Sequence, residues 1–122
     1  MKDLDRFGTL VMEKLRDESI SFVEGLLEQH WKAPKLKKLQ RDVNKLEPKE
    51  REIVLRAARA AIDTGIHSFL FALQEAMENG QMAVLVNGKS IAEQTDGLHG
   101  ELFTPTGWQA RFSQYGEAPE VA

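Results

Sequence analysis

The chain has no cysteine, which excludes disulfide bonds and any thiolate nucleophile or thiolate metal ligand. It also has no run approaching the roughly 18 apolar residues of a membrane-spanning helix. The opening residues, MKDLDRF, lack the apolar segment of a secretory signal. Repeats and low-complexity segments are absent too. We therefore expect one domain, residues 1–122, in a reducing cytoplasm and not in a membrane.

Three common catalytic patterns are missing as well. No serine lies in a GxSxG turn, no pair of histidines has the HExxH spacing, and no glycine-rich loop carries the lysine of a phosphate-binding loop. These absences favour a non-enzymatic role without a cofactor.

The net charge is small, but the charged residues are unevenly distributed. The net charge of −3 gives the whole molecule no general attraction to nucleic acid or acidic membranes. The segment 32–46, however, holds six basic residues and one acidic residue, so it carries +5 and leaves −8 on the remaining residues. This segment is the strongest charge feature of the sequence.

A long helix is predicted from Pro48 to Glu78. Proline suits the first helical position, apolar residues recur at steps of three and four, and Asn79-Gly80 supplies a left-handed stop. A straight helix of this length spans about 46 Å, whereas a compact chain of this size is roughly 35 Å across. We therefore expect either a bend at Thr64-Gly65, or a second copy that covers the overhang. A helix interior disfavours glycine, so Gly65 indicates a kink or a close helix crossing.

Two further helical regions precede the long helix. The first covers residues 2–31, and Asp17 to Ser19 could divide it, so one helix and a broken pair both remain open. Its expected buried stripe is Leu4, Phe7, Val11, Leu15, Phe22, Val23, Leu26, Leu27 and His30. The second begins at Pro34, ends near Leu46, and is expected to pack through Leu36, Leu39, Val43 and Leu46.

Alternating apolar residues replace the helical period after Gly80. The residues around Asn87-Gly88 predict a hairpin in which Val86 pairs with Lys89 and Val84 with Ile91. A second hairpin is predicted over residues 98–112. The fold class is therefore α+β, predominantly α: three or four helices surround a long central helix at about 48–78, and a small antiparallel sheet covers about 82–112. Residues 114–122 are expected to form a frayed tail.

A metal or acid–base site is one functional hypothesis. Asp63 and His67 share a face of the long helix, and the turn DGLHGE adds Asp96, His99 and Glu101. If the turn folds onto the helix, two imidazoles and several carboxylates could bind zinc or a related divalent ion in a hydrolase-like enzyme. The competing interpretation is a surface pair and an ordinary polar turn.

The leading hypothesis is a small adaptor-like or inhibitor-like interaction protein that forms a homodimer or binds a protein partner. Charge segregation favours it, as do the aromatic residues at the end of the first helical region and near the C-terminus, because such residues anchor interfaces. A second alternative is a nucleic-acid binder that contacts phosphates through the basic segment, which the acidic chain disfavours. The candidate partner-binding residues are Trp31, Lys35, Lys37, Lys38, Arg41, Lys45, Trp108 and Tyr115.

Overall fold

A computed structural model of the protein describes residues 1–118, and residues 119–122 of the predicted tail lie outside them. The described chain is mostly helical with one small antiparallel sheet, as predicted. Its helices are α1 (Asp3–Leu10), a π-helical segment (Val11–Asp17), α2 (Glu18–Leu27), α3 (Pro34–Asn44), α4 (Pro48–Glu78) and α5 (Trp108–Phe112). The strands β1 (Leu85–Val86) and β2 (Lys89–Ser90) precede two 3₁₀ turns, Ile91–Gln94 and Leu98–Glu101.

The long helix α4 has the predicted bounds. Pro48 occupies its first turn, and a capping box with Glu50 satisfies backbone N–H groups at this end. At the other end Gly80 has a φ of +72°, and the N–H groups of Gly80 and Gln81 donate back to the last turn. This pattern is a Schellman motif, which ends a helix with a left-handed residue. The expected close crossing at Gly65 is absent from the described residues, because nothing lies within 4 Å of its absent Cβ.

The first helical region is one continuous rod rather than a broken pair. α1 passes directly into the π-helical segment and then into α2. A π turn has a different angular period from an α turn, so it changes which side chains face the core. Arg16 and Asp17 are buried there, whereas Leu15 and Phe22 of the predicted stripe are exposed.

The first predicted hairpin is confirmed, although its strands are short. Val86 pairs with Lys89, and the Ile91 N–H donates to the Val84 carbonyl at 3.1 Å. The second predicted hairpin is wrong. Leu98 and Leu102, four residues apart, are both fully buried by a helical turn, so the apolar pattern there is not that of a strand.

The core lies where α1, the π-helical segment and the second half of α4 meet the turns after the hairpin. Its members are all buried apolar side chains: Leu4, Val11, Met12, Ile66, Leu70, Leu73, Met77, Ile91, Leu98, Leu102 and Trp108. In α4 the buried residues begin only at Ile66, so the first half of this helix contributes little to the core. Residues 48–65 therefore leave a large part of their surface to solvent.

Candidate functional site

The helix α3 is held on α2 by a buried glutamine. The Gln40 side chain is 3% exposed, accepts the Trp31 N–H at 2.9 Å, and donates to the Trp31 carbonyl at 2.8 Å. Gln29 in turn donates to the Gln40 carbonyl at 2.6 Å. These bonds satisfy a polar group that would be costly to bury alone. The predicted packing position Leu39 is instead 46% exposed.

Trp31 completes this attachment instead of facing solvent as a free anchor. Its indole N–H donates to the Phe22 carbonyl at 3.0 Å, and its ring packs beside the rings of Phe22 and His30. A Cβ on Gly25 would lie 2.4 Å from the indole nitrogen, so only glycine leaves room for the ring. The aromatic contact therefore stabilises α3 more directly than it serves a partner.

The outer side of α3 is basic. Leu36, Gln40 and Val43 face α2, whereas Lys38, Arg41 and Lys45 recur at steps of three and four on the opposite side. We call these three cations the α3 basic face. Lys35 and Lys37 flank it, and all five side chains are exposed. Among the ion pairs between residues 1–118, none involves a cation of α3.

The two predicted histidines converge. The ring centroids of His67 on α4 and His99 in the second 3₁₀ turn are 5.4 Å apart, in an edge-to-face arrangement. Phe103 packs beside His67, and Phe71 packs beside His99. In residues 1–118, no protein group accepts from or donates to the buried Nδ1 of His99. The sequence left open whether these two histidines meet, and the structure places their rings in contact.

The carboxylates predicted for the same site are not gathered around the histidines. Asp63 accepts from Arg16 through both oxygens, at 2.7 and 3.2 Å, and Glu101 accepts from Thr95 at 2.7 Å. Asp96 is exposed. No group of three potential metal ligands occurs in the described part of the chain. The pair thus provides two imidazoles, fewer than the three or four protein ligands of ordinary zinc sites.

A buried arginine that sequence reasoning missed ties three parts of the chain together. Arg16 is fully buried, and its guanidinium binds Asp63 of α4, the Ser113 hydroxyl at 2.8 Å and the Gly116 carbonyl at 2.6 Å. Asp17 accepts from Ser113 and from the Gln114 N–H. The segment 113–116 is therefore anchored, and the predicted fraying there is wrong. Runs of basic or acidic residues are visible in a sequence, but they do not show which single pair of charged residues is buried together.

Two of the proposed partner anchors have structural contacts instead. Trp108 is 1% exposed, and its ring fills the space that a Cβ on Gly8 would occupy, so it is a core residue. The Tyr115 hydroxyl donates to Glu24 at 2.5 Å, and Arg59 lies over its ring. Burial, together with this bond to a carboxylate, raises the pKa of the Tyr115 hydroxyl.

An open pocket of about 460 Å³ lies beside the π-helical segment. Glu13, Asp17, Glu18 and Arg111 are among its lining residues. Asp17 already accepts hydrogen bonds from Ser113 and Gln114, and Arg111 forms an ion pair with Asp5 at 2.7 Å. The pocket therefore presents mainly carboxylates, and the Ser113 hydroxyl in its lining is already hydrogen-bonded to Asp17 and Arg16.

Comparisons with protein-family models, curated proteins and solved structures found no match. In the described residues, no helix is long and apolar enough to cross a membrane. The α3 basic face is consequently the feature on which a functional proposal can best be based.

Proposed function

We propose that the protein is a non-enzymatic interaction protein that binds an acidic protein segment through the α3 basic face. The observation that carries this proposal is the set of exposed α3 cations without an ion-pair partner in residues 1–118. Neighbouring like charges repel one another, and a complementary acidic surface relieves that repulsion and steers association. The attachment through Gln40 and Trp31 presents these cations on a fixed scaffold.

The shape and composition of α3 favour a protein over a nucleic acid. Leu39 of α3 is half-exposed at the edge of the basic face, and a helix that carries both cations and an exposed apolar side chain suits an amphipathic acidic helix better than a phosphate backbone. α3 has no aromatic side chain on which a base could stack, and the Trp31 ring is occupied by Phe22 and His30.

A charge-reversal pair tests this function. The triple variant Lys38→Glu, Arg41→Glu, Lys45→Glu removes the basic face, and the control Lys2→Glu, Arg6→Glu, Lys89→Glu changes exposed residues elsewhere by the same charge. The probe is a fluorescent 15-residue polyglutamate peptide, measured by anisotropy at several salt concentrations. We expect the triple variant to bind at least about tenfold more weakly, and the control to change by less than about twofold.

Two results would contradict the proposal. An equal loss in both variants would show that net charge alone governs binding. Tighter binding of a duplex DNA of comparable charge than of polyglutamate, with a steep salt dependence, would support the nucleic-acid alternative instead.

A further inference from the structure

One side of α4 is exposed and uncharged over most of its length. Its residues recur at helical spacing, all are exposed, and none is ionisable: Ile53, Ala57, Ala60, Ala61, Thr64, Gly65, Ser68, Phe69, Phe71 and Ala72. We call this surface the α4 apolar face. From its first to its last residue it spans about 28 Å. In the monomer this uncharged surface is exposed to water and adds no burial energy to the fold. Exposed surfaces of this kind often mark contact sites.

Gly65 lies within this face and is unexplained by packing in the monomer. Nothing in the described chain lies within 4 Å of the position of its missing Cβ, and its backbone is helical. A glycine weakens a helix intrinsically, and a close approach by another helix can offset this cost. The surface of α4 at Gly65 therefore suits a second helix that crosses it closely.

The distribution of side-chain size along the face points to a second copy in antiparallel orientation. Phe69 and Phe71 lie toward one end, whereas Ala57, Ala60 and Ala61 lie toward the other. If a two-fold axis passes near Thr64 and Gly65, the large rings of one copy pack on the small residues of its partner. A two-fold contact of this kind needs only one self-complementary surface.

Charge along α4 favours the same orientation. Residues 48–59 contain four basic and two acidic residues, whereas residues 60–78 contain no basic residue and three acidic ones, of which Glu75 and Glu78 are exposed and Asp63 is paired with Arg16 of the same chain. Antiparallel helices place the basic half of one copy beside the acidic half of the other, and parallel helices would place like charges together. We propose that the α4 apolar face is the interface of an antiparallel homodimer with its axis near Thr64 and Gly65.

A contact of one helix pair is small. A strip of about 28 Å on a helix about 10 Å wide buries less area than the roughly 1,200 Å² at which standard interfaces begin. We therefore expect a reversible dimer with a dissociation constant in the micromolar range, on the order of 10 to 100 µM. Dimerisation through the α4 apolar face does not use the α3 basic face. The dimer and the binding of an acidic partner can therefore be tested, and can fail, separately.

Sedimentation equilibrium across that concentration range tests the dimer with matched variants. Phe69 on the face and Leu10 on α1 are both 58% exposed, so Phe69→Glu and Leu10→Glu introduce the same charge at equally accessible sites. We expect Phe69→Glu to weaken dimerisation by more than about tenfold and Leu10→Glu to leave it unchanged. A protein that stays monomeric throughout, or equal weakening by both folded variants, would overturn the proposal.

Cysteine cross-linking tests the orientation without background, because the chain contains no cysteine. A disulfide requires Cα atoms within about 7 Å, so only residues near the axis can link to themselves. We expect Thr64→Cys to form disulfide-linked dimers on mild oxidation, and Ile53→Cys to remain monomeric under denaturing conditions. Efficient cross-linking of Ile53→Cys would instead show a parallel pairing and reject the antiparallel dimer.

Discussion

Single side chains that look ordinary in the sequence decide how this molecule is held together. Gln40 fixes α3 through bonds to Trp31, and Gly25 and Gly8 make room for the rings of Trp31 and Trp108. The two glycines weaken their helices intrinsically, and the aromatic contacts that they permit offset this cost. At this scale the polar and small residues, more than the apolar ones, determine which helices pack against each other.

Tyr115 offers a direct measurement at the residue scale, because it is the only tyrosine in the sequence. Burial and the bond to Glu24 favour its neutral form, so we expect its pKa to lie above the ordinary value of about 10. Ultraviolet absorbance titration measures this pKa without interference from another phenol. The variant Glu24→Gln removes the carboxylate charge and should bring the pKa back toward its ordinary value.

The same shift predicts a pH dependence of stability with a definite sign. The pKa of Tyr115 is higher in the folded state than in the unfolded state, so its contribution is complete below about pH 10. The contribution is then lost as pH rises through the folded pKa. A Tyr115→Phe variant should therefore lose less stability than the parent protein over that alkaline range in urea unfolding. Parallel curves for the two proteins would contradict the assignment.

The elements differ in how far local sequence controls them. α4 begins with proline, has a capping box and ends in a Schellman glycine, so its bounds follow from local chemistry alone. The π-helical segment has no such signal, and the residues Leu98 to Phe112 fold as a 3₁₀ turn followed by the short helix α5, because Leu98, Leu102 and Trp108 reach the core together. Tertiary packing decides those elements.

Gly65 and Gly80 provide a matched test at the element scale. Both would place an added Cβ in open space, but Gly65 has helical backbone angles and Gly80 has a φ of +72°. We expect Gly65→Ala to stabilise the folded monomer by about 0.5–1 kcal/mol, and Gly80→Ala to destabilise it by about 1 kcal/mol or more. Urea unfolding at low micromolar protein concentration measures both. Changes of the same sign would show that backbone conformation does not control these positions.

At the scale of the whole molecule, the sequence predicted the helical architecture and the long helix, which follow from periodicity and end signals. It named His67 and His99 as candidates but left open whether they meet, because that depends on how the chain returns after Asn79-Gly80. It could not predict that Asp63 faces Arg16 and leaves the histidines without a carboxylate, because that ion pair joins residues 47 positions apart. Nor could it predict that Trp108 fills the core. In both cases long-range packing selects a partner that no local pattern specifies.

The hydrogen bonds of Arg16 to Asp63, Ser113 and Gly116 join the first helical region, α4 and the C-terminal segment in one buried site. Asp63→Asn keeps the side-chain size but leaves a fully buried guanidinium without its counter-charge. We expect a loss of about 3–5 kcal/mol, a large part of the roughly 5–15 kcal/mol that stabilises a typical domain.

The control is Glu18→Gln, which breaks the Lys14–Glu18 pair, whose side chains are 66% and 65% exposed. Because water and salt screen an exposed pair, its loss should cost less than about 1 kcal/mol. Urea unfolding followed by circular dichroism compares the two variants on the same scale. If Asp63→Asn cost no more than Glu18→Gln, the buried ion pair would not be what holds the C-terminal segment, α4 and the first rod together.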